Sequence, residues 1–500
     1  MLSITIAKVK KEFRKANQND KHYFNEKMLK KKFHDFFTQN LDFELTKKQV
    51  LLQEILADYL FDSTSREILL IKGYAGTGKT TMLSLLVKTL KNLRYRTVLM
   101  APTGRAAKVL SAYSGSQAFT IHKKIYRQKT SKDDTGRFIL DKNLFTETLF
   151  IVDESSMLSN MGQEGSMFGS GRLLDDMLDF VFGGTNCKLI LAGDTAQLPP
   201  VNSWLSPALD TEELRSMGYK VTEVLLDEVV RQNTDSNILL NATHLRKQMK
   251  NTPVIYPRFI TGDDTDVVRL DGSVLLETIS DSYAKYGVDG TMIVCRTNKR
   301  ANIFNQGIRN QILFYEDEIS AGDRLMIVKN NYSWLSENES LDFLANGDIV
   351  KIKRIGRYEE RYGYRFLNVD ILLPDYDNYE LSCKIMLDTI GMETPALTME
   401  QSRSFFYAVA EDYPIPDSKK RWKAVREDPY YSAVQVKFAY AVTCHKAQGG
   451  QWNAVFVDQG WFKEDMLDTG YLRWLYTAVT RPIKKLYLLN FKPEFYPPEQ

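Results

Sequence analysis

The chain has 500 residues, 43% of them hydrophobic and 26% charged, and a formal net charge of +3. This is the composition of a globular protein long enough for about three or four domains, and so small a charge neither requires nor excludes a nucleic-acid partner. No apolar window approaches ~18 residues, which excludes a membrane-spanning helix, and Met1–Ile6 is too short an apolar run for a signal peptide. Four scattered cysteines (Cys187, Cys295, Cys383, Cys444) form no C-x-x-C pair. They point away from a disulfide framework or zinc site and toward a reducing, cytoplasmic setting.

Residues 1–40 are lysine-rich and lack strand alternation. Lys27, Lys30, Lys31 and Lys32 stand beside Phe33, Phe36 and Phe37 as in a basic amphipathic helix. A helix docked on the rest of the chain is favoured over a dedicated DNA arm. Thr46 reads as the N-cap of the next helix. Gln49, three residues on, has both a donor and an acceptor for an adenine edge.

Next comes Gly73-Tyr74-Ala75-Gly76-Thr77-Gly78-Lys79-Thr80, which fits the G-x-x-x-x-G-K-[ST] phosphate loop at every fixed position. The apolar run Ile68–Ile71 before it predicts a buried strand, and Thr81–Leu90 after it predicts a helix. The glycines let backbone N–H groups turn inward around phosphate oxygens, and the helix end adds its positive pole. Lys79 supplies a charge for the outer phosphates, and Thr80 a hydroxyl for Mg²⁺.

A second strand, Arg96–Met100, leads into Ala101-Pro102-Thr103-Gly104-Arg105-Ala106-Ala107-Lys108. A strand, a small-residue turn and a helix carrying Arg105 and Lys108 read either as a nucleic-acid phosphate site or as a plain crossover. Phe119–Lys124, with His122 and Lys123, has the same two readings. Residues 126–145 predict a hairpin around the polar turn Lys132–Gly136. Leu149–Val152 predicts a buried strand ending in Asp153-Glu154, which puts one carboxylate near Mg²⁺ and the next where it can activate water. The strand Lys188–Gly193 leads to Gln197, placed to sense a γ-phosphate. Strand–helix alternation resumes after Arg231, predicting a second parallel α/β domain. From about 330 the runs Gly347–Ile352, Tyr364–Val369 and Tyr379–Ser382 alternate as in a small β-barrel. Residues 397–432 read as helical and irregular, and parallel α/β returns at 438–443 and 454–457.

In this order the motifs G-Y-A-G-T-G-K-T, A-P-T-G-R-A-A-K, D-E-S-S, G-D-T-A-Q-L-P-P, V-R-Q, T-C-H-K-A-Q-G and Y-T-A-V-T-R resemble those of superfamily 1 helicases, and within them the 5′→3′ RecD/Dda-type branch, superfamily 1B. The resemblance spans about residues 43–490. It implies an α/β fold of two tandem RecA-like motor domains, with a small β-hairpin inserted in the first and an SH3-like barrel in the second. The expected division is a basic extension 1–40, a first motor domain 41–228 with its hairpin at about 124–146, a second at 229–329 and 436–500, and the insert 330–435.

The resemblance also assigns roles. It gives a catalytic set of Lys79, Asp153, Glu154, Gln197 and two arginine fingers, Arg231 and Arg481. ATP would be held by Gln49, Gly73, Ala75, Gly76, Thr77, Gly78, Lys79, Thr80, Thr81, Gln448 and Gly449, and Mg²⁺ by Thr80 and Asp153. Pro102, Thr103, Arg105, His122, Lys123, Thr443, His445 and Lys446 would touch single-stranded DNA. The implied protein is a monomeric, DNA-dependent ATPase that unwinds forked DNA in repair, recombination or replication. An RNA helicase or RNP remodeller of the same superfamily is the alternative. The hairpin is a candidate pin at the fork, with Phe138 its wedge.

Overall fold

The computed structural model describes residues 18–61, 66–128, 138–162, 168–201, 203–230, 236–251, 253–335 and 343–498. Strands β1 (Glu67–Gly73), β2 (Arg96–Ala101) and β3 (Ala118–Thr120) come first. A small antiparallel pair follows, β4 (Tyr126–Gln128) with β5 (Phe138–Leu140), and then β6 (Thr148–Val152), β7 (Lys188–Gly193) and β8 (Lys220–Leu226). Among the described residues the larger set makes one parallel sheet in the order β3-β2-β6-β7-β1-β8. Its central strands are continuous apolar runs because helices cover both faces. Ile68–Ile71, Leu149–Val152 and Leu189–Ala192 are all at most 1% exposed.

The helix Gln18–Gln39 docks on this domain. Phe33 and Phe37 are fully buried in the same core as Leu52, Leu56, Leu86 and Leu90. Each ring contributes roughly 1.5–3 kcal/mol of burial, enough to fix the helix in place. Lys27, Lys31 and Lys32 face solvent on its outer side, while Lys30 pairs with Glu26 and Asp58.

The second half begins with β9 (Val267–Leu270) and β10 (Thr291–Cys295). The chain then leaves through β11 (Arg324–Ile327), β12 (Ile349–Arg361), β13 (Tyr364–Leu373), β14 (Tyr379–Met386) and β15 (Val434–Phe438), which close into a barrel. It returns as β16 (Ala441–Thr443), β17 (Trp452–Asp458) and β18 (Pro482–Leu489), completing a second parallel sheet in the order β16-β10-β17-β18-β9. This is the expected architecture: two RecA-like parallel sheets in tandem, a hairpin with the first and a closed barrel within the second.

Two details differ from the sequence reading. The barrel starts at Arg324 and ends at Phe438, wider than 330–435, because β11 pairs with both β12 and β15. The predicted strand 438–443 is therefore split, Phe438 ending the barrel and Ala441–Thr443 joining the sheet. The barrel is also not a separate body. Leu325, Ile327, Val350, Val369 and Val436 share one core with Ile293, Phe304, Ile308 and Phe456 of the motor domain. At its root the buried Arg309 guanidinium forks onto Asp323, with both N–H···O distances at 2.9 Å. The helices Met399–Ala410 and Ser418–Glu427 pack at the far end, around Phe366 and Phe405.

Candidate nucleotide cleft and nucleic-acid groove

The phosphate loop joins β1 to the helix Lys79–Asn92 at the carboxyl edge of the sheet, where ligands of open α/β sheets bind. Gly76 and Gly78 have φ of +76° and +77°, a left-handed backbone that bends the loop back on itself. A Cβ on Gly78 would sit 2.5 Å from Gln49 Nε2, so the close approach of Gln49 also demands glycine there. Gly78 is the N-cap, and no side chain among the described residues caps the helix, whose first N–H groups need partners. They open on a cleft of about 540 Å³ lined by Gly73–Gly76, Gly78–Thr81, Asp153, Glu154, Asp194, Gln197, Gly449 and Arg481, among others. That volume suits a nucleotide.

The floor is acidic. Asp153 Oδ1 lies 3.8 Å from Lys79 Nζ, and both residues are buried. Burial pushes the Lys79 pKa down, but Asp153, Glu154 and Asp194 outweigh it, so the net shift is upward and the ammonium stays charged. Burial raises the Asp153 and Asp194 carboxyls above their usual range, against the pull of Lys79. Glu154 sits at φ +55°, a strained conformation for a side-chain-bearing residue, costing about 1–3 kcal/mol and typical of functional positions. Among the described residues its buried Oε2 has no hydrogen-bond partner, nor has Gln197 Oε1. Orphaned acceptor oxygens beside a phosphate-sized cradle fit water, which can donate both to them and to a phosphate, rather than protein.

The opposite wall comes from the second domain. Arg481, 4% exposed, donates from Nε to Thr477 O at 2.9 Å and from Nη2 to Thr480 Oγ1 at 3.1 Å. One turn earlier, the helix Thr469–Val479 grips the loop after β7. Arg473 Nη1 donates to Thr195 O at 2.8 Å, Thr477 Oγ1 accepts from Leu198 N at 2.8 Å, and Tyr476 donates to Asp194 Oδ2 at 2.6 Å. Sequence reasoning assigned no role to Asp194, Arg473, Tyr476 or Thr477. Asp194, Tyr476 and Thr477 lie inside the motifs G-D-T-A-Q and Y-T-A-V-T-R, and Arg473 just before the second, but only the pairing across the cleft reveals them.

A second cavity of about 590 Å³ runs between the first domain and the barrel. Pro102, Thr103, His122 and Tyr126 line one side, and Lys329, Asn330, Tyr332, Phe343 and Asn346 the other. Its walls are aromatic: His122 meets Phe168 at 4.9 Å, and Tyr332 meets Phe343 at 5.1 Å. Burial drops the His122 pKa to about 4, so at neutral pH it offers a ring and one N–H rather than a charge. Lys446 donates to Asn346, which brings the short helix Cys444–Ala447 up to the groove, with Thr443 at its N-cap and His445 exposed, although none of Thr443, His445 and Lys446 lines it.

Several expected residues stand elsewhere. Arg105 lies 4.2 Å over the Trp452 ring and donates to Gln451 O, so it bridges the domains and does not line the groove. Lys108 is likewise engaged by Pro374 O at 2.7 Å, and Lys123 is not among the groove-lining residues. Gln448 does not line the cleft; its amide reaches Leu198 O at 2.8 Å. Thr77, 1% exposed, braces the phosphate loop through Tyr74 O. Gln49 lines the cleft; its Oε1 completes a capping box with Thr46 N and one Nε2 proton holds Thr77 O at 3.1 Å, which leaves a second lone pair and a second N–H on the amide. Phe138 is 8% exposed, stacked at 4.8 Å on Phe168 and 4.7 Å from Tyr332, so it is core rather than an exposed wedge. Arg231 and the hairpin tip at 132–136 lie outside the described residues.

Comparison with known proteins gives a consistent set of similarities. A model of an AAA domain matches residues 52–255, and one of a UvrD-like helicase C-terminal domain matches 438–489. An uncharacterised protein of Acanthamoeba polyphaga mimivirus is 22% identical over 88% of this chain and 98% of its own length. The ATP-dependent DNA helicase dda of Enterobacteria phage T4 is 24% identical over 77% of this chain and 86% of its own. The ATP-dependent RecD2 DNA helicase of Deinococcus radiodurans is 28% identical over 39% of this chain, which spans only 23% of that longer protein. Among solved structures, a Bacteroides Pif1 helicase in complex with ADP-AlF3 and ssDNA aligns over 92% of this chain and 95% of its own, at 17% identity and a TM-score of 0.45.

Proposed function

We propose that this chain, a member of the superfamily 1B helicases, hydrolyses ATP to translocate 5′→3′ on single-stranded DNA and to part the strands of a duplex. The observation that carries the reading is one cleft that gathers the phosphate loop, Asp153, Glu154 and Gln197 from the first sheet and Arg481 from the second domain. ATP supplies the phosphoryl group that is transferred to water. Lys79, Thr80 and the uncapped helix end hold its phosphate chain, and Thr80 with Asp153 would hold Mg²⁺, which would neutralise phosphate charge there. Glu154, with its orphaned oxygen, orients the attacking water and accepts its proton. Gln197 reads the terminal phosphate, and Arg481, with Arg231, meets the charge that develops during transfer.

Motion follows from the arrangement. The two walls of the cleft belong to different domains, so closing it carries the barrel and the Cys444 helix toward Pro102 and Thr103. The aromatic groove suits stacked bases without sequence preference, and Lys329 and Lys446 suit the backbone. One chain supplies both walls, which supports a monomeric motor; its setting in this proposal is cytoplasmic DNA repair, recombination or replication. No helix among the described residues is long and apolar enough to cross a membrane.

The test is unwinding of forked duplexes bearing only a 5′ or only a 3′ single-stranded tail, with ATPase stimulation by single-stranded DNA and RNA measured in parallel. Activity on the 5′-tailed fork and stimulation by DNA are expected. Activity confined to the 3′ tail overturns the polarity, and stimulation by RNA alone overturns the choice of DNA.

A further inference from the structure

We infer that the Tyr476 hydroxyl is a positioning group that competes with a terminal phosphate oxygen for the Ala75 N–H, so that a triphosphate must displace it and thereby release the second domain from the phosphate loop. The inference rests on the ATP-motor reading above and deepens it.

Tyr476 is 1% exposed on the second-domain helix that also precedes Arg481. Its Oη accepts the Ala75 N–H at 2.8 Å and donates to Asp194 Oδ2 at 2.6 Å. Ala75 belongs to the phosphate loop and lines the nucleotide cleft. A backbone N–H has one proton to give, and while Tyr476 holds it, no phosphate oxygen receives it. Asp194 is fixed on its other side, with Oδ1 accepting from Ala196 N at 2.9 Å, so Tyr476 spans the phosphate loop and the loop that carries Gln197. Arg473 and Thr477 tie the same helix to Thr195, Gln197 and Leu198. The two attachments therefore differ in kind. Those to the β7 loop involve groups with no phosphate to meet, and the one to Ala75 competes with the ligand. Displacing it leaves the helix bound to the sensor loop but free of the phosphate loop, and Arg481 moves with that helix.

The experiment compares the full-length chain with Tyr476→Phe, which keeps the ring and removes the hydroxyl. A non-hydrolysable ATP analogue and ADP are titrated by fluorescence, and DNA-stimulated kcat and KM are measured. Loss of one competing hydrogen bond should tighten the triphosphate analogue roughly three- to tenfold. It should leave ADP nearly unchanged and lower kcat. Thr477→Val cuts the neighbouring bond to Leu198 without touching Ala75; it should slow turnover with no gain in affinity. Should Tyr476→Phe fold poorly in a thermal melt, 3-fluorotyrosine at position 476, a weaker acceptor of the same shape, should give a smaller shift in the same direction. Unchanged triphosphate affinity, or equal tightening by Thr477→Val, overturns the inference alone. A wild-type chain that binds no nucleotide overturns the motor reading beneath it.

Discussion

Replacing Arg481 with alanine separates a transition-state role from a binding role, and the structure sets the expected size of the effect. Among the described cleft-lining residues Arg481 and Lys79 are the basic groups, facing Asp153, Glu154 and Asp194. Removing Arg481 leaves three carboxylates against one ammonium where negative charge must build up further. Its guanidinium is held by Thr477 O, Gly450 O and Thr480 Oγ1. Its ground-state contribution to ATP binding is therefore small, and the loss should fall on kcat. One preorganised donor facing developing charge is worth ~10²–10³ in rate, which at about 1.36 kcal/mol per decade is roughly 3–4 kcal/mol. Arg481→Lys keeps the charge but not the fork and should recover about one decade at most. Steady-state ATPase with saturating single-stranded DNA, alongside nucleotide titration, reads kcat and affinity separately. A thermal melt and nucleotide-free DNA binding check the fold. A kcat within about threefold of wild type, with affinity reduced instead, would refute the reasoning.

Lys79→Ala should abolish hydrolysis while sparing nucleotide-free DNA binding, since it removes the ammonium beside Asp153 and leaves the groove intact; turnover near wild type would remove the phosphate loop from the mechanism. Glu154→Gln should still bind ATP and DNA but turn over ~10²–10⁴-fold more slowly, and retention of more than about a tenth of the rate would end its role as base. Burial lowers the Lys446 pKa to about 8, so its charge is present below that pH and lost above it. Single-stranded DNA affinity should therefore fall several-fold between pH 7 and 9 and flatten in Lys446→Arg, whereas in the free protein the unfolded chain binds the extra proton and this residue's contribution to stability rises over about pH 8–10. Lys329→Ala with Tyr332→Ala strips a cation and a ring from the barrel side of the groove; DNA-stimulated turnover should drop while basal ATPase persists, and full unwinding by the double variant would show the barrel side to be a bystander.

What could be read from the sequence was local. The phosphate loop and the Asp153-Glu154 strand end announce themselves because each is a few consecutive residues whose spacing obeys one geometric demand. The apolar runs of β1, β6 and β7 were equally plain, since burial on both faces leaves no polar alternation to misread. Partners distant in the chain were not legible. Nothing around Arg105 foretells Trp452, and nothing around Tyr476 foretells Ala75, because those pairings exist only once two domains face each other. Gln448 failed for the same reason: its motif was right, and its amide turned to a carbonyl across the domain boundary. The barrel edges were misplaced because β11 is recognisable only by its pairing with β15, more than a hundred residues later. Phe138 failed because an aromatic in a hairpin looks alike whether it faces a fork or a neighbouring ring.

The core shared between the barrel and the second sheet also bears on how such a chain can diverge. Residues added or lost near Arg309, Asp323 or Val436 would reopen packing on which both bodies depend. The far end is under no such constraint: the turn at Tyr362–Gly363 and the helical hairpin around Phe405 rest on a small cluster of their own. Lengthening and shortening among descendants of this fold should therefore accumulate on that outer tip, where a lineage can acquire private contacts while the inherited engine beneath stays unaltered.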